Sequence, residues 1–253
     1  MNLAGIQQAL REEGMDGWLL YDFHNRDAIA YRVLGLDFGQ FTSRRWFYFI
    51  PAEGEPVRLV SRVEPVKLDS LPGSKRFYLS WEELHASLRE ILGARRKIAM
   101  QYSPQADIPY VSTVDGGTVE LIGRLGYEVV SSADLVQRFE SVIDEAGYRS
   151  HLEAAEQIQR IKAEAFRWIA EGVRAGRGST EYDAQQFIVQ RYAEEGLDCL
   201  GELPIVGVND HPANPHFQPT PDNARVIQRG DMLLIDLWAK LQRPGAIFYD
   251  ITW

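Results

Sequence analysis

The sequence predicts a protein of the mixed α/β (α+β) class, in which a layered first domain is followed by helices packed on an antiparallel sheet. Up to residue 140, short apolar runs of strand length alternate with segments whose apolar residues recur at helical spacing. Beyond it, the longest helical pattern in the chain leads into strand-like runs and a terminal β-hairpin. We therefore expect two domains, over residues 1–140 and 141–253, as the length of 253 residues also favours.

The first domain opens with Leu3, Ile6 and Leu10 at helical spacing, and Gly14 closes this predicted helix as a C-terminal cap. The apolar runs that follow are separated by turn residues or by further helical patterns. Strands are expected at 17–21, 46–50, 57–60, 76–79, 97–101 and 127–130, and further helices at 27–34, 81–92 and 113–125.

The second domain begins with a long amphipathic pattern from Leu152 to Ile169, which Gly176 and Gly178 end. A second helix starts at Thr180, whose hydroxyl can cap the helix while Asp183 completes a near capping box. A strand over 203–208, a polar proline-rich loop over 212–221 and a hairpin over 230–253 follow.

Composition excludes several classes of function. No apolar run approaches the roughly 18 residues of a membrane span, and the N-terminus lacks a charged signal-peptide start. The net charge of -9 argues against a nucleic-acid partner, which would require a basic face. The single cysteine, Cys199, excludes an internal disulfide and fits a reducing cytoplasm, where we expect this protein.

The terminal hairpin carries one buried-looking aspartate in each strand. If the hairpin is centred on Arg243, Asp236 and Asp250 lie opposite each other and share one face of the sheet. Opposed carboxylates about 5 Å apart repel each other unless a cation lies between them, which suits a site with two metal ions. Alternatively, one aspartate faces solvent and a bulge shifts the register. The spacing alone supports both readings equally.

A resemblance adds to this reading. The segment from Gly230-Asp231 to Asp236, then Asp250-Ile251-Thr252, resembles the first two metal ligands of the pita-bread metallopeptidases, which include methionine aminopeptidase, aminopeptidase P, prolidase and creatinase. Upstream, Gly207-Val208-Asn209 and the run Asn214 to Pro219 resemble the segment in which that family carries a substrate-binding, proton-handling histidine, here His216. The preceding residues resemble the N-terminal domain of aminopeptidase P, prolidase and creatinase.

The resemblance implies a creatinase/prolidase-like N-terminal domain over 1–140 and the first half of a pita-bread catalytic domain over 141–253. Asp236 would bind one divalent ion, Asp250 would bridge two, and His216 would act as the catalytic histidine that steadies the substrate carbonyl. His211 has no clear counterpart in the family pattern, and we expect it to belong to the loop or to line the pocket, where it would bind substrate. The two ions would be manganese, zinc, cobalt or iron. The family also implies a peptide or small amide substrate and a homo-oligomer.

This sequence departs from the family in three respects. The interval from Asp236 to Asp250 is longer than the family usually shows. Trp253 stands where many members have arginine. The other three ligands, a histidine and two glutamates, are absent from this sequence. We therefore expect a truncated X-Pro aminopeptidase or dipeptidase that is inactive as given. The alternatives are a non-catalytic binding or scaffold protein of the same fold and a creatinase-like hydrolase of other C–N bonds.

Two further segments carry weaker signals. Asp115-Gly116-Gly117-Thr118 can approach a phosphate, but a turn or a helix start is the preferred reading. The cluster Ser43-Arg44-Arg45 can face an anionic substrate or another subunit, and simple solvation is its default reading.

Overall fold

The computed structural model describes all 253 residues, which form two units, Met1–Val142 and Ile143–Trp253. The fold is mixed α/β, and the predicted fold class is confirmed. No helix combines the length and the apolar character needed to cross a membrane.

The first unit is built on a six-stranded mixed sheet in the order β4-β3-β2-β1-β5-β6. Its strands are β1 (Gly17–Asp22), β2 (Trp46–Pro51), β3 (Val57–Ser61), β4 (Ser74–Tyr78), β5 (Lys97–Met100) and β6 (Glu128–Ser131). Its helices are α1 (Leu3–Glu12), α2 (Ala28–Leu34), α3 (Trp81–Leu92), α4 (Gly116–Arg124) and α5 (Ala133–Val136). The pairs β1–β2 and β2–β3 are antiparallel, whereas β1–β5, β3–β4 and β5–β6 are parallel.

Helices cover both faces of this sheet. Trp18 and Leu20 of β1 belong to a core shared with α1 and α2, whereas Leu19 and Tyr21 belong to a second core shared with α3 and α4. Because both faces are covered, every residue of β1 and β2 is buried, which is why these strands are mostly apolar in sequence.

In the second unit, two helices pack on one face of an antiparallel sheet. The elements are α6 (Glu145–Arg174), α7 (Glu181–Glu195), β7 (Leu197–Asp198), β8 (Ile205–Val208), β9 (Leu233–Leu241) and β10 (Tyr249–Thr252). Strand β9 is central and pairs antiparallel with β7, β8 and β10. Its alternate residues Ile235, Leu237 and Ala239 are buried in a core shared with α6 and α7. The predicted capping box at Thr180 and Asp183 is present.

The predicted hairpin register is wrong by two residues along β10. Asp250 lies opposite Trp238, and Thr252 lies opposite Asp236. The reason is the turn, in which the Ala246 N–H donates to the Arg243 carbonyl and Gly245 has a φ of 73°. The centre of the hairpin therefore lies one residue later in the chain than Arg243, the predicted centre.

The aspartates are also less buried than expected, since Asp236 is half-buried and Asp250 is exposed.

Candidate functional site

Asp236 and Asp250 lie on the face of the sheet that points away from α6 and α7. Along β9, buried residues alternate with half-buried ones, and Asp236 belongs to the half-buried set. The register places Asp250 two residues out of line with Asp236, and a shift of two residues leaves both side chains on the same face. The two carboxylates are therefore diagonal neighbours on adjacent strands.

The negative charge of Asp236 affects the ionisation of Asp250. The Thr252 hydroxyl donates to Asp236 Oδ1 at 2.6 Å, which satisfies one oxygen of that carboxylate. Partial burial of the Asp250 carboxyl raises its pKa above the ordinary value, and the negative charge of Asp236 raises it further. A cation beside the pair would remove this electrostatic penalty.

The donor set fits a hard divalent ion only in part. Carboxylate oxygens suit such ions, and the unfavourable charge on Asp250 is the condition that a bound cation relieves. However, the structure contains no group of three or more histidine, cysteine, aspartate or glutamate side chains able to hold a metal. Asp236 and Asp250 are thus two candidate ligands, whereas catalytic metal sites use three or more protein ligands.

His216 and Asp236 line the same cavity, although they are 20 positions apart. The cavity has a volume of about 920 Å³, and its wall includes Trp238 of β9 and Gln185 of α7. The loop between β8 and β9 contributes Pro215, Gln218, Pro219, Thr220 and Pro221, and the rest of the lining comes from α7, β8 and the segment before β8. Asp250 and His211 are not among the lining residues. The structure therefore brings together one predicted metal ligand and the predicted catalytic histidine.

The His216 loop is held in place by amide side chains. Gln185 Nε2 donates to the Pro204 carbonyl at 2.7 Å and to Gln218 Oε1 at 2.9 Å. Asn223 Nδ2 donates to the Gln218 carbonyl at 3.1 Å. The His216 backbone N–H donates to Asn214 Oδ1, while its imidazole makes no hydrogen bond within the chain. The backbone is thus anchored and the ring remains available to a ligand.

His211 has a different environment, dominated by a glutamate that the sequence analysis did not identify. Its Nδ1 lies 2.8 and 2.9 Å from the two carboxylate oxygens of Glu181, which is fully buried. Because a carboxylate only accepts hydrogen bonds, this arrangement assigns the proton to Nδ1. The imidazole also packs on Phe217, with ring centroids 4.2 Å apart. His211 is therefore bonded to a buried carboxylate and supports the loop.

Glu181 connects the two ends of the same loop to the start of α7. Its carboxylate accepts the Val208 N–H at 2.7 Å and the Arg225 N–H at 2.8 Å. The Arg225 guanidinium bonds to Asp210, which lowers the pKa of that carboxyl to about 2. In sequence, Glu181 could be recognised only as an acidic residue in the first helical turn, since its partners lie about 30 and 44 residues away.

The Gly-Asp pair before β9 also stabilises this loop. Asn209 Nδ2 donates to Asp231 Oδ1 at 2.9 Å, and the Met232 N–H donates to Asn209 Oδ1 at 3.1 Å. Asn209 has a φ of 56°, a conformation that asparagine tolerates better than most residues. Asp231 is therefore a structural partner of Asn209, and Asp236 is the aspartate that reaches the cavity.

Comparisons with known proteins report on the family and the fold. Residues 151–253 match the model of metallopeptidase family M24. No curated protein sequence matches the chain. Among solved structures, dipeptidase PepE from Mycobacterium ulcerans is 20% identical, with a TM-score of 0.66 over 99% of this chain and 62% of its own.

Two archaeal structures give similar values. A prolidase from Thermococcus sibiricus is 19% identical, with a TM-score of 0.61 over 99% of this chain and 63% of its own. A dipeptidase from Pyrococcus horikoshii is 22% identical, with a TM-score of 0.60 over all of this chain and 64% of its own. The chain thus spans less than two thirds of the length of these relatives. It has the fold of the pita-bread metallopeptidases, and its residues 151–253 match metallopeptidase family M24.

Proposed function

We propose that this chain forms part of a metal-dependent hydrolase that cleaves X-Pro peptide bonds. The observation that carries the proposal is the cavity lined by both His216 and Asp236, with Asp250 on the same face of the adjacent strand. The match of residues 151–253 to metallopeptidase family M24 supports a peptidase rather than another use of the fold.

In this proposal Asp236 and Asp250 hold divalent metal. Manganese, zinc, cobalt and iron all suit carboxylate ligands combined with an imidazole. Held by these two residues, such ions would supply a coordinated water of lowered pKa and would polarise the scissile carbonyl. Thr252 orients Asp236 through its hydroxyl, as hydrogen-bond partners of metal ligands commonly do.

His216 has the role of binding the substrate carbonyl and stabilising the charge that develops on its oxygen. Its imidazole makes no hydrogen bond within the chain, and its backbone is fixed by Asn214. The ring is therefore free to donate to the oxygen on which negative charge develops in the transition state. The cavity of about 920 Å³ is large enough for a dipeptide, and Trp238 with the loop prolines provides apolar wall for a proline ring.

The site also requires ligands beyond those that this chain brings together. The family resemblance implies a histidine and two glutamates in addition to the two aspartates, and no such cluster is formed here. Two carboxylates without further ligands bind metal weakly, so we expect little or no hydrolysis by these 253 residues alone. The family also suggests a homo-oligomer, and the single Cys199 fits a cytoplasmic location.

A metal titration tests the proposed ligands directly. We expect Mn²⁺ or Zn²⁺ to bind the 253-residue chain more weakly than micromolar, and Asp236→Asn and Asp250→Asn to abolish this binding. Asp222→Asn is a matched control because Asp222 is exposed and its carboxylate makes no hydrogen bond in the structure. Occupancy of two ions at micromolar affinity or better would contradict the proposal that ligands are missing.

The reaction is tested with a longer protein that includes this chain, if the gene encodes one. Metal-dependent hydrolysis of an X-Pro dipeptide, abolished by a chelator and by Asp236→Asn, would support the peptidase. Hydrolysis of creatine without dipeptide cleavage would favour the creatinase-like alternative instead. If the protein bound metal but hydrolysed neither the dipeptide nor creatine, a binding or scaffold role would be favoured.

A further inference from the structure

The first unit contains a second cavity, of about 770 Å³, that the proposed reaction does not use. It opens beside the end of β1, next to α3 and α4. Its inner surface includes Tyr21 and Thr118, which are only 5% and 4% exposed, together with Phe23 and Leu121. The base of the cavity is therefore largely apolar and aromatic.

Four arginines from four separate parts of the chain surround this cavity. Arg26 precedes α2, Arg45 directly precedes β2, Arg89 lies on α3 and Arg124 lies on α4. The fold gathers these cations from positions spread over nearly one hundred residues. The Arg45 cluster and the Asp115 to Thr118 segment, which the sequence analysis treated separately, meet at this cavity.

Of the four arginines, only Arg124 has a carboxylate partner in the structure. Both oxygens of Asp115 accept from Thr118, one from the N–H and one from the hydroxyl, each at 2.9 Å. Glu120 pairs with Arg124 at 3.3 Å. Arg26, Arg45 and Arg89 also line the cavity, and none of the three forms an ion pair in the structure.

Neighbouring aromatic residues anchor the segments that carry these arginines. The Arg26 guanidinium lies 5.6 Å from the centroid of the Phe23 ring. The hydroxyl of Tyr78 donates to the Arg45 carbonyl at 2.6 Å, and that of Tyr127 donates to the Arg89 carbonyl at 3.3 Å. The backbone positions of Arg45 and Arg89 are thus set by the fold.

Uncompensated like charges brought together disfavour the folded state, and a bound anion relieves that repulsion. The clustering of arginines at this cavity does not follow from the overall composition, because the protein carries a net charge of -9. Guanidinium groups match the oxygens of phosphate and carboxylate. A planar carboxylate is satisfied by a single bidentate arginine, whereas several arginines arriving from different directions suit a tetrahedral phosphate.

We propose that this cavity binds a small organic phosphate, with the phosphate contacted by Arg45 and Arg89 and the organic part resting on Tyr21, Phe23 and Leu121. The volume lies within the range of small-molecule sites. This site is independent of the metal site, and neither proposal depends on the other.

The test is a calorimetric titration of the protein with AMP, phenyl phosphate and glucose 6-phosphate, alongside adenosine and inorganic phosphate. At least one organic phosphate binds with a Kd below about 1 mM, and adenosine and inorganic phosphate bind at least about tenfold more weakly. The double substitution Arg45→Gln with Arg89→Gln weakens binding about tenfold or more. Arg62→Gln, an exposed arginine of the same unit outside the cavity, leaves it unchanged.

A second measurement uses the unaltered protein. Phenylglyoxal modifies accessible arginines, and the bound phosphate protects Arg45 and Arg89 but not Arg62 when the modified peptides are quantified by mass spectrometry. Failure of all three organic phosphates to bind below about 1 mM overturns the proposal. The proposal is also overturned if the double variant binds the organic phosphate as tightly as the unaltered protein does. It is overturned as well if the bound phosphate does not protect Arg45 and Arg89 from phenylglyoxal.

Discussion

Thr252 donates its hydroxyl to Asp236 across β9 and β10, at 2.6 Å, in the register position directly opposite that aspartate. Asp250 is therefore displaced by two residues along β10 and lies diagonal to Asp236 on the same face. This offset separates the two negative charges more than direct opposition would, while leaving both carboxylates on one surface. The hydroxyl also limits the rotation of Asp236.

Thr252→Val tests whether this hydroxyl orients Asp236 as a metal ligand. We expect metal affinity to fall by about 10- to 100-fold, since loss of a hydrogen-bond partner of a ligand typically has that effect. Thr252→Ser retains the hydroxyl and serves as the control. Titration of Mn²⁺, followed by electron paramagnetic resonance, measures both variants. Equal affinity in Thr252→Val and the unaltered protein would exclude the orienting role.

Glu181→Gln tests the buried connection between α7 and the loop that carries His216. The substitution places an amide NH₂ among three donors, the Val208 and Arg225 N–H groups and His211 Nδ1. Because a buried donor without a partner is costly, the free energy of unfolding should fall by about 2–4 kcal/mol in urea titrations.

The matched control for Glu181→Gln is Glu156→Gln, at an exposed position of α6 whose carboxylate makes no hydrogen bond, with an expected change within about 0.5 kcal/mol. Hydrogen exchange of the Val208 and Arg225 amides gives a local measurement. We expect both amides to exchange faster in Glu181→Gln. Unchanged exchange at both amides would show that Glu181 does not secure the loop.

His216→Ala should separate function from stability. The side chain is exposed and its imidazole makes no hydrogen bond, so the free energy of unfolding should change by less than about 0.5 kcal/mol. Turnover of an X-Pro dipeptide by an active form of the protein should fall by about 10²- to 10³-fold, as for loss of a donor to the reacting oxygen.

His211→Ala provides the contrast to His216→Ala. It removes a partner of the buried Glu181, so it should lower the free energy of unfolding as well as the activity. If His216→Ala reduced stability as much as His211→Ala, or left turnover unchanged, the proposed role of His216 would be wrong.

Asp27→Asn tests a pH dependence in the first unit. Burial raises the pKa of Asp27 to about 6, while its side chain caps α2 by accepting the Ala30 N–H. Between about pH 4 and pH 6 the folded state retains a proton that the unfolded chain releases, so stability falls as pH rises through this window. Asparagine retains the capping oxygen without titrating.

Between about pH 4 and pH 7, the unfolding free energy of the unaltered protein should therefore fall by on the order of 2–3 kcal/mol more than that of Asp27→Asn. Urea titrations at several pH values provide the measurement. Asp107→Asn, at an exposed position, should show the same pH profile as the unaltered protein. A difference between Asp27→Asn and the unaltered protein that does not vary with pH would contradict the assignment.

The sequence by itself determined the class of fold and the positions of most helices and strands. Apolar periodicity reports which residues of an element face a core, and that information is local. The capping box at Thr180 and Asp183 was readable for the same reason. So was the shared face of Asp236 and Asp250, because side chains alternate along a strand and a register shift of two residues preserves their face.

Only the tertiary structure decided which residues meet. The hairpin register depends on the turn at Gly245, the partner of His211 is a glutamate 30 residues earlier, and Arg45 and Arg89 approach one cavity from separate elements. Each of these contacts joins segments whose separation in sequence carries no signal of their proximity. They exist because packing of the helices on the two sheets brings the segments together.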